Sequence, residues 1–223
     1  CPHGHQTGGK TIMTNTNFKH TPNIYGRLPR GGSHFGKRPG QGNNHTGFIN
    51  PWNPNGPKNM DGEPRKILFL SKRGMSRSPV AREIMRSLIE KSDHYGKVMI
   101  LAGGVSKAYD QCHTDGRMKD FCKQFGYQLQ TYSRFADHAL LADAGLIITL
   151  DHESEEFVSL HRQSFRCETR PFGIFMAPGS KPYVSDPFER GDDLSPEECY
   201  QEIISCLEFG CSKLLASLPT LLG

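Results

Sequence analysis

Lys66-Ile-Leu-Phe-Leu-Ser-Lys-Arg-Gly-Met-Ser-Arg-Ser-Pro-Val-Ala-Arg-Glu-Ile-Met85 changes character twice within twenty residues. Lys66 to Leu70 is a short apolar run, the pattern of a buried strand. Ser71 to Ser78 is polar and contains Gly74, as a tight loop does. Pro79 is then expected at the first helical position, where its missing N–H and fixed φ cost nothing. From Val80 to Ile89 the apolar residues Val80, Ala81, Ile84, Met85, Leu88 and Ile89 recur three and four apart, which predicts an amphipathic helix.

The same alternation continues outward. Val98 to Ala102 reads as a second strand, followed by Gly103-Gly104. Arg117 to Phe125 reads as a helix stopped by Gly126, and Ala139 to Ala144 as a short helix. Ala144 to Leu150 is a third strand, His152 to Arg162 a helix, and Arg170 to Met176 a fourth strand. Ser195-Pro-Glu-Glu198 combines a capping serine, a proline at the first position and two acids at the positive helix end, so a helix is expected from there to Leu218. Alternating strands and helices predict a three-layer α/β/α domain over residues 63–223, built on a four-stranded parallel sheet.

In such folds ligands bind at the carboxyl ends of strands. A loop that passes from a strand end into a helix start aims backbone N–H groups and the positive helix terminus at one point, which makes an anion site. Lys72, Arg73, Gly74, Met75, Ser76, Arg77 and Ser78 are the candidate anion-binding residues, with Arg77 able to offer a two-pronged N–H fork. On spacing alone, an ordinary turn with solvated Lys and Arg accounts for the loop equally well.

Arg77-Ser78-Pro79-Val80-Ala81, placed between a strand and a helix, resembles the opening of the low molecular weight protein tyrosine phosphatases, whose strand leads into a C-x5-R-S-P loop. Ala102-Gly103-Gly104 falls where that family has a Ser-Ala-Gly-Thr-like turn, and Asp115-Gly-Arg117 resembles its Asp-Pro-Arg. Ser133-Arg134 and the apolar strand ending at Asp151 also match, and Asp186-Pro187-Phe188 falls on its late Asp-Pro-Tyr. The likeness runs over about residues 65–218. It implies a reaction in which a loop thiolate attacks phosphorus, the loop N–H groups and Arg77 stabilise the equatorial oxygens, and Asp186 protonates the leaving oxygen. Ser78 would be the serine that hydrogen-bonds the thiolate.

The nucleophile position, however, is Ser71. A serine hydroxyl is a far poorer nucleophile than a thiolate at neutral pH, and nothing near it in sequence supplies a base. A single engineered Cys→Ser exchange would explain Ser71 but not the neighbouring departures. Arg73 and Gly74 replace a Gly and an Asn, Ser76 replaces a second Cys, and Glu189 replaces an aromatic. Loss of catalysis is therefore expected. An oxyanion or phosphoprotein site can survive in the loop; equally, a side chain or a salt bridge to Asp186 can fill it. A related arsenate reductase activity is disfavoured because it needs the same thiol.

Residues 1–62 have another character. The first sixty carry seven Lys or Arg and no Asp or Glu, so the net +4 of the 223-residue chain is +7 there and −3 in the rest. Ile24, Tyr25, Phe35, Phe48, Ile49 and Trp52 follow neither helical nor strand period, and Gly, Asn and Pro abound. Such a segment cannot offset its ordering entropy alone, and is expected to be a long irregular extension that orders on a partner. Cations with spaced aromatics suit an acidic protein surface or large assembly, a filament or microtubule for instance. Nucleic acid is the less favoured partner, because phosphate neutralisation usually employs denser Lys and Arg.

No run of about 18 apolar residues exists, so no membrane span or membrane partner is expected. No signal-peptide core occurs in the first thirty residues, although Cys1 at the start leaves a removed targeting segment open. Seven cysteines without CxxC spacing read as reduced thiols of an intracellular protein, cytoplasmic or cytoskeletal and including the cilium. Neither a metal site nor a cofactor is expected. His94, His113, His138, His152 and His161 read as surface residues at helix ends or loops. Three functions stay open: an inactive phosphatase-like interaction subunit acting through the arm, an active or trapped tyrosine phosphatase, and a phosphate- or phosphotyrosine-binding module.

Overall fold

The computed structural model describes residues 63–189 and 195–222. The extension read from residues 1–62, with its expected partner contacts, lies outside them. Four strands, β1 (Arg65–Ser71), β2 (Val98–Gly104), β3 (Leu146–Thr149) and β4 (Glu168–Pro171), form one parallel sheet in the order β2-β1-β3-β4. Along β1 the side chains alternate between faces, as a pleated strand requires. Ile67 and Phe69 join one apolar cluster with Val80, Ile84 and Met85 of α1 (Arg77–Glu90) and Ile203, Ile204, Leu207 and Leu214 of α5 (Pro196–Leu221). Leu68 and Leu70 join the other, with Leu140 and Leu141 of α3 (His138–Ala142) and Val158 of α4 (His152–Leu160). Helices thus cover both faces, which is the three-layer architecture expected from the alternation. All four β1 apolar side chains are fully buried, each contributing about 1.5–3 kcal/mol of transfer free energy.

The helix signals differ in how closely they locate the ends. Ser195 caps α5 by accepting from the Glu198 N–H at 3.2 Å while the Glu198 carboxylate accepts from the Ser195 N–H at 2.9 Å, and Pro196 takes the first helical position. The helix runs to Leu221 rather than Leu218. α2 (Gly116–Lys123) starts from Asp115, whose carboxylate accepts from the N–H groups of Arg117 and Met118, and Gly126 follows it at φ +80°. In α1 the proline is displaced from its expected place. The helix begins at Arg77, so Pro79 is its third residue, still inside the first turn where no intrahelical N–H is needed. The third strand is shorter than Ala144–Leu150. No helix among the described residues is long and apolar enough to cross a membrane.

The fourth strand departs furthest from expectation. It spans Glu168–Pro171, and Phe172–Phe175 is a 3₁₀ turn instead of its continuation to Met176. Pro171 ends the ladder because it has no N–H to give. Phe172 and Phe175, three residues apart, both bury on the same side, which suits the 3₁₀ period and not alternation. Gly173 is pressed against the Pro182 carbonyl, where an added Cβ would lie 2.4 Å from the oxygen.

Candidate functional site

The chain leaves β1 for α1, then crosses to β2 on one side of β1 and returns to β3 on the other. The carboxyl ends of β1 and β3 therefore lie at the point where the strand order reverses, the favoured ligand position in open α/β sheets. Ser71 ends β1 there, opposite Gly104 of β2. Asp151 follows β3 and caps α4 through the Ser154 N–H at 2.8 Å.

Loop 71–77 needs a close backbone approach. Gly74 has φ +69°, and a Cβ on it would fall 2.6 Å from the Gly104 nitrogen; a Cβ on Gly104 would meet the Arg73 carbonyl at the same distance. Glycine is required at both places by space, and at Gly74 also by conformation. The far side of the loop is tied to α2. Ser76 donates to the Asp115 carboxylate at 3.1 Å, and the Asp115 N–H donates to the Met75 carbonyl at 3.0 Å.

Ser71 is 2 % exposed, and its Oγ lies 3.0 Å from Ser78 Oγ. Ser78 donates its one hydroxyl hydrogen to the Gly103 carbonyl at 2.9 Å. Ser71 must then be the donor to Ser78, because each hydroxyl has a single proton. The relay of hydroxyls ends on a backbone carbonyl and not on a base that could activate Ser71. Ser78 consequently accepts from position 71 and does not donate to it, the reverse of the arrangement that a thiolate there would need.

Arg77 is buried, and its guanidinium meets a backbone carbonyl and two carboxylates of the chain. Nη1 donates to the Val184 carbonyl at 3.1 Å, and Nη2 lies 2.7 Å from Asp186 Oδ2 and 2.9 Å from Asp151 Oδ2. The Asp151 oxygen also accepts from the Lys72 N–H at 2.7 Å. Asp186 Oδ2 is shared, since Arg73 Nη1 reaches it at 2.7 Å as well. Arg73 continues to Glu189 at 3.2 Å, and its guanidinium carbon lies 5.6 Å from the Tyr109 ring centroid and 4.9 Å from that of Phe188. Lys72 Nζ completes the network with Glu153 at 2.8 Å and Glu189 at 2.6 Å. Lys72, Arg73 and Arg77 are thereby matched by Asp151, Glu153, Asp186 and Glu189.

The electrostatics follow from these contacts. Hydrogen bonds from Lys72 hold the carboxyls of Glu153 and Glu189 below the ordinary glutamate value, and the two glutamates raise the Lys72 ammonium above its own. Burial opposes the charged form of Arg73, but Tyr109, Asp186 and Glu189 outweigh it and keep its pKa raised. The cluster of Arg77 with Asp151 and Asp186 is nearly dry, so stripping Arg77 of both carboxylates would leave a buried charge uncompensated at a cost of about 3–5 kcal/mol.

Of the expected loop residues, Arg73 and Arg77 meet Asp186, Ser71 pairs with Ser78, Ser76 turns to Asp115, and Lys72 turns to Glu153 and Glu189. Sequence reasoning missed Asp151, Glu153 and Tyr109 as parts of this cluster, and it did not pair Glu189 with the loop. Of these only Asp151, at the end of a strand beside the switch point, carried a usable signal. Among the histidines, His113, His138, His152 and His161 are exposed and His94 is half-buried.

A strand-end loop with a buried arginine fork at the first turn of a helix is the build of a phosphate-handling α/β domain. The comparisons narrow that class. Residues 66–220 match the family profile of the low molecular weight phosphotyrosine protein phosphatases. A Synechocystis protein provisionally named as a low molecular weight protein-tyrosine-phosphatase is 26% identical over 162 residues, covering 69% of this chain and 96% of its own length. YfkJ from Bacillus subtilis superposes with a TM-score of 0.62 at 21% identity, over 72% of this chain and 98% of its own. A protein tyrosine phosphatase from Entamoeba histolytica with Hepes in the active site gives 0.59 at 22% identity, over 70% and 97%. A YwlE arginine phosphatase mutant with a phosphorylated active-site serine gives 0.57 at 20% identity, over 69% and 95%. The chain belongs to the low molecular weight phosphotyrosine protein phosphatase family.

Proposed function

We propose that this chain is a catalytically silent member of its family, kept as an interaction subunit. One observation carries the reading: the loop that should cradle a phosphoryl group holds a serine with no base, and its arginine fork is already taken by the chain's own carboxylates. A serine whose proton goes to another hydroxyl has no path to the reactive alkoxide. Asp186 Oδ2 accepts from both Arg73 and Arg77, so this oxygen is turned to the two guanidinium groups and not to a leaving group. Purified chain is expected to release no p-nitrophenolate from p-nitrophenyl phosphate above the buffer rate. Sustained turnover would overturn the reading.

Segment 1–62, whose first sixty residues carry no Asp or Glu, is the part we assign to the partner. Its charge suits an acidic protein lattice such as a microtubule. Full chain is expected to co-sediment with microtubules at low salt and to be released as salt rises, while a chain lacking residues 1–62 stays in solution. Equal pelleting of the two would remove the arm from the account.

A second reading is favoured by the Cys-to-Ser mutant of a YwlE arginine phosphatase, in which the serine put in place of the active-site cysteine is phosphorylated. On that reading Ser71 is a phosphoryl trap, taking one group and holding it. Incubation with p-nitrophenyl phosphate followed by intact-mass measurement separates the two: the trap gains the mass of one phosphoryl group at Ser71, and the silent subunit gains nothing.

A further inference from the structure

Two separate features distinguish this loop from one ready for phosphate. One is the missing thiol, which concerns chemistry. The other is the side chain of Arg73, which concerns access. From the second we propose that Arg73 is the residue that decides what the pocket admits: its guanidinium is a built-in occupant that excludes phosphate monoesters. The inference rests on the reading of the loop as a silent phosphate pocket, but not on whether Ser71 can react.

The side chain of Arg73 is 17% exposed although it springs from a surface loop. It does not extend into solvent as an idle arginine would. It folds back over its own loop and lies against Tyr109 from one segment and Phe188 from another. Both faces are suited to a planar group, and a guanidinium is planar and weakly hydrated. The two rings therefore flank a guanidinium that shares Asp186 with Arg77.

Arg73 also acts on the oxygen that matters. Asp186 Oδ2 sits 2.7 Å from Arg73 Nη1 and 2.7 Å from Arg77 Nη2, so one carboxylate oxygen joins the two guanidinium groups. With Asp151 on the same Nη2 at 2.9 Å and Val184 on Nη1 at 3.1 Å, the terminal nitrogens of Arg77 are engaged by the chain. A phosphate needs that fork. To reach it, the anion must separate Asp186 from both arginines and swing Arg73 off its rings. Arg73 thus adds a bond that holds Asp186 on the Arg77 fork, and Glu189 holds Arg73 with another carboxylate. Glycine at position 73 removes the occupant and one of the two guanidinium bonds on Asp186 without touching Ser71 or Arg77.

The test is binding and therefore independent of turnover. Wild-type chain and the Arg73→Gly and Arg73→Gln variants, all with Ser71 intact, are titrated with phenyl phosphate and with orthovanadate. Melting temperature and calorimetry are the readouts, and circular dichroism verifies the fold. The expected result is at least about tenfold tighter binding by Arg73→Gly than by wild type, with Arg73→Gln between them. Wild type binding phenyl phosphate as tightly as Arg73→Gly overturns the proposal. So does the absence of binding in both folded variants. A second measurement uses turnover: the Ser71→Cys, Arg73→Gly double variant should hydrolyse p-nitrophenyl phosphate at least about tenfold faster than Ser71→Cys alone. Equal rates contradict the role of Arg73. Turnover by unaltered chain would instead sink the silent reading, so the two failures are told apart.

Discussion

Replacing Asp186 by alanine removes the one carboxylate that holds Arg73 and Arg77 together. Its side chain is 9% exposed and accepts from both guanidinium groups at 2.7 Å. A charge-assisted hydrogen bond in a protein contributes about 1.5–3 kcal/mol. Two such bonds give a gross loss of about 3–6 kcal/mol, but Asp151 stays on Arg77 at 2.9 Å and Glu189 on Arg73 at 3.2 Å. We therefore expect a net destabilisation of about 2–3 kcal/mol. For a domain of this size that is a fall in Tm of about 4–12 °C. The position vacated by the carboxylate is an anion position, so inorganic phosphate should return part of the loss. At ten times its Kd it would restore about 1.4 kcal/mol by linkage. The assay is differential scanning fluorimetry of Asp186→Ala and wild type across a phosphate series, with a urea midpoint for each. A variant melting with wild type, and gaining no more from phosphate than wild type does, would refute the claim that Asp186 engages the arginine fork a phosphate would need.

Other consequences are simpler to read. Gly74→Ala forces a side chain onto a residue at φ +69° and within 2.6 Å of backbone, so urea unfolding should show a loss of at least about 1–2 kcal/mol. Glu153 and Glu189 have folded pKa values below their ordinary 4.5, so their contribution to stability is complete above pH 4.5 and lost as pH falls through those lower values. Lys72 has the opposite sign, its contribution being complete below its ordinary 10.5 and lost only as pH rises through the raised folded value. Lys72→Met should accordingly flatten the acid limb of the urea midpoint against pH. Burial pushes the thiols of Cys122 and Cys206 up to about 12 and about 11, and that of Cys211 higher still. Iodoacetamide at neutral pH should therefore label the half-buried Cys112 well before Cys122 and Cys211, as peptide mapping would show.

The local parts of the structure were legible because they rest on local physics. Lys66 to Leu70 alternates between two buried faces, Val80 to Ile89 keeps helical spacing, and Ser195-Pro196 with Glu198 writes a helix start in four residues. The fourth strand was misplaced because Phe172, Ile174, Phe175 and Met176 look like a strand by hydropathy. Pro171 and Gly173, each with a backbone reason for its place, decide otherwise. In the site, the loop and Asp186 were readable from their motifs. The closure of the site was not: Asp151, Glu153 and Glu189 reach Lys72 or Arg77 across long stretches of chain, and such pairings leave no local spacing to find. Ser71 showed what the loop lacks; a salt bridge to Asp186 was one of the fillings the sequence left open, and the geometry adds Arg73 and Asp151 to it.

The central claim is that this family member does no phosphatase chemistry, and it is tested most directly by the initial rate of p-nitrophenyl phosphate hydrolysis with the unaltered 223-residue chain. The account predicts a rate equal to that of buffer at every protein concentration, and measurable turnover once Ser71→Cys and Arg73→Gly are made together. A rate that rises in proportion to unaltered protein, and is lost in Arg77→Ala, would contradict it.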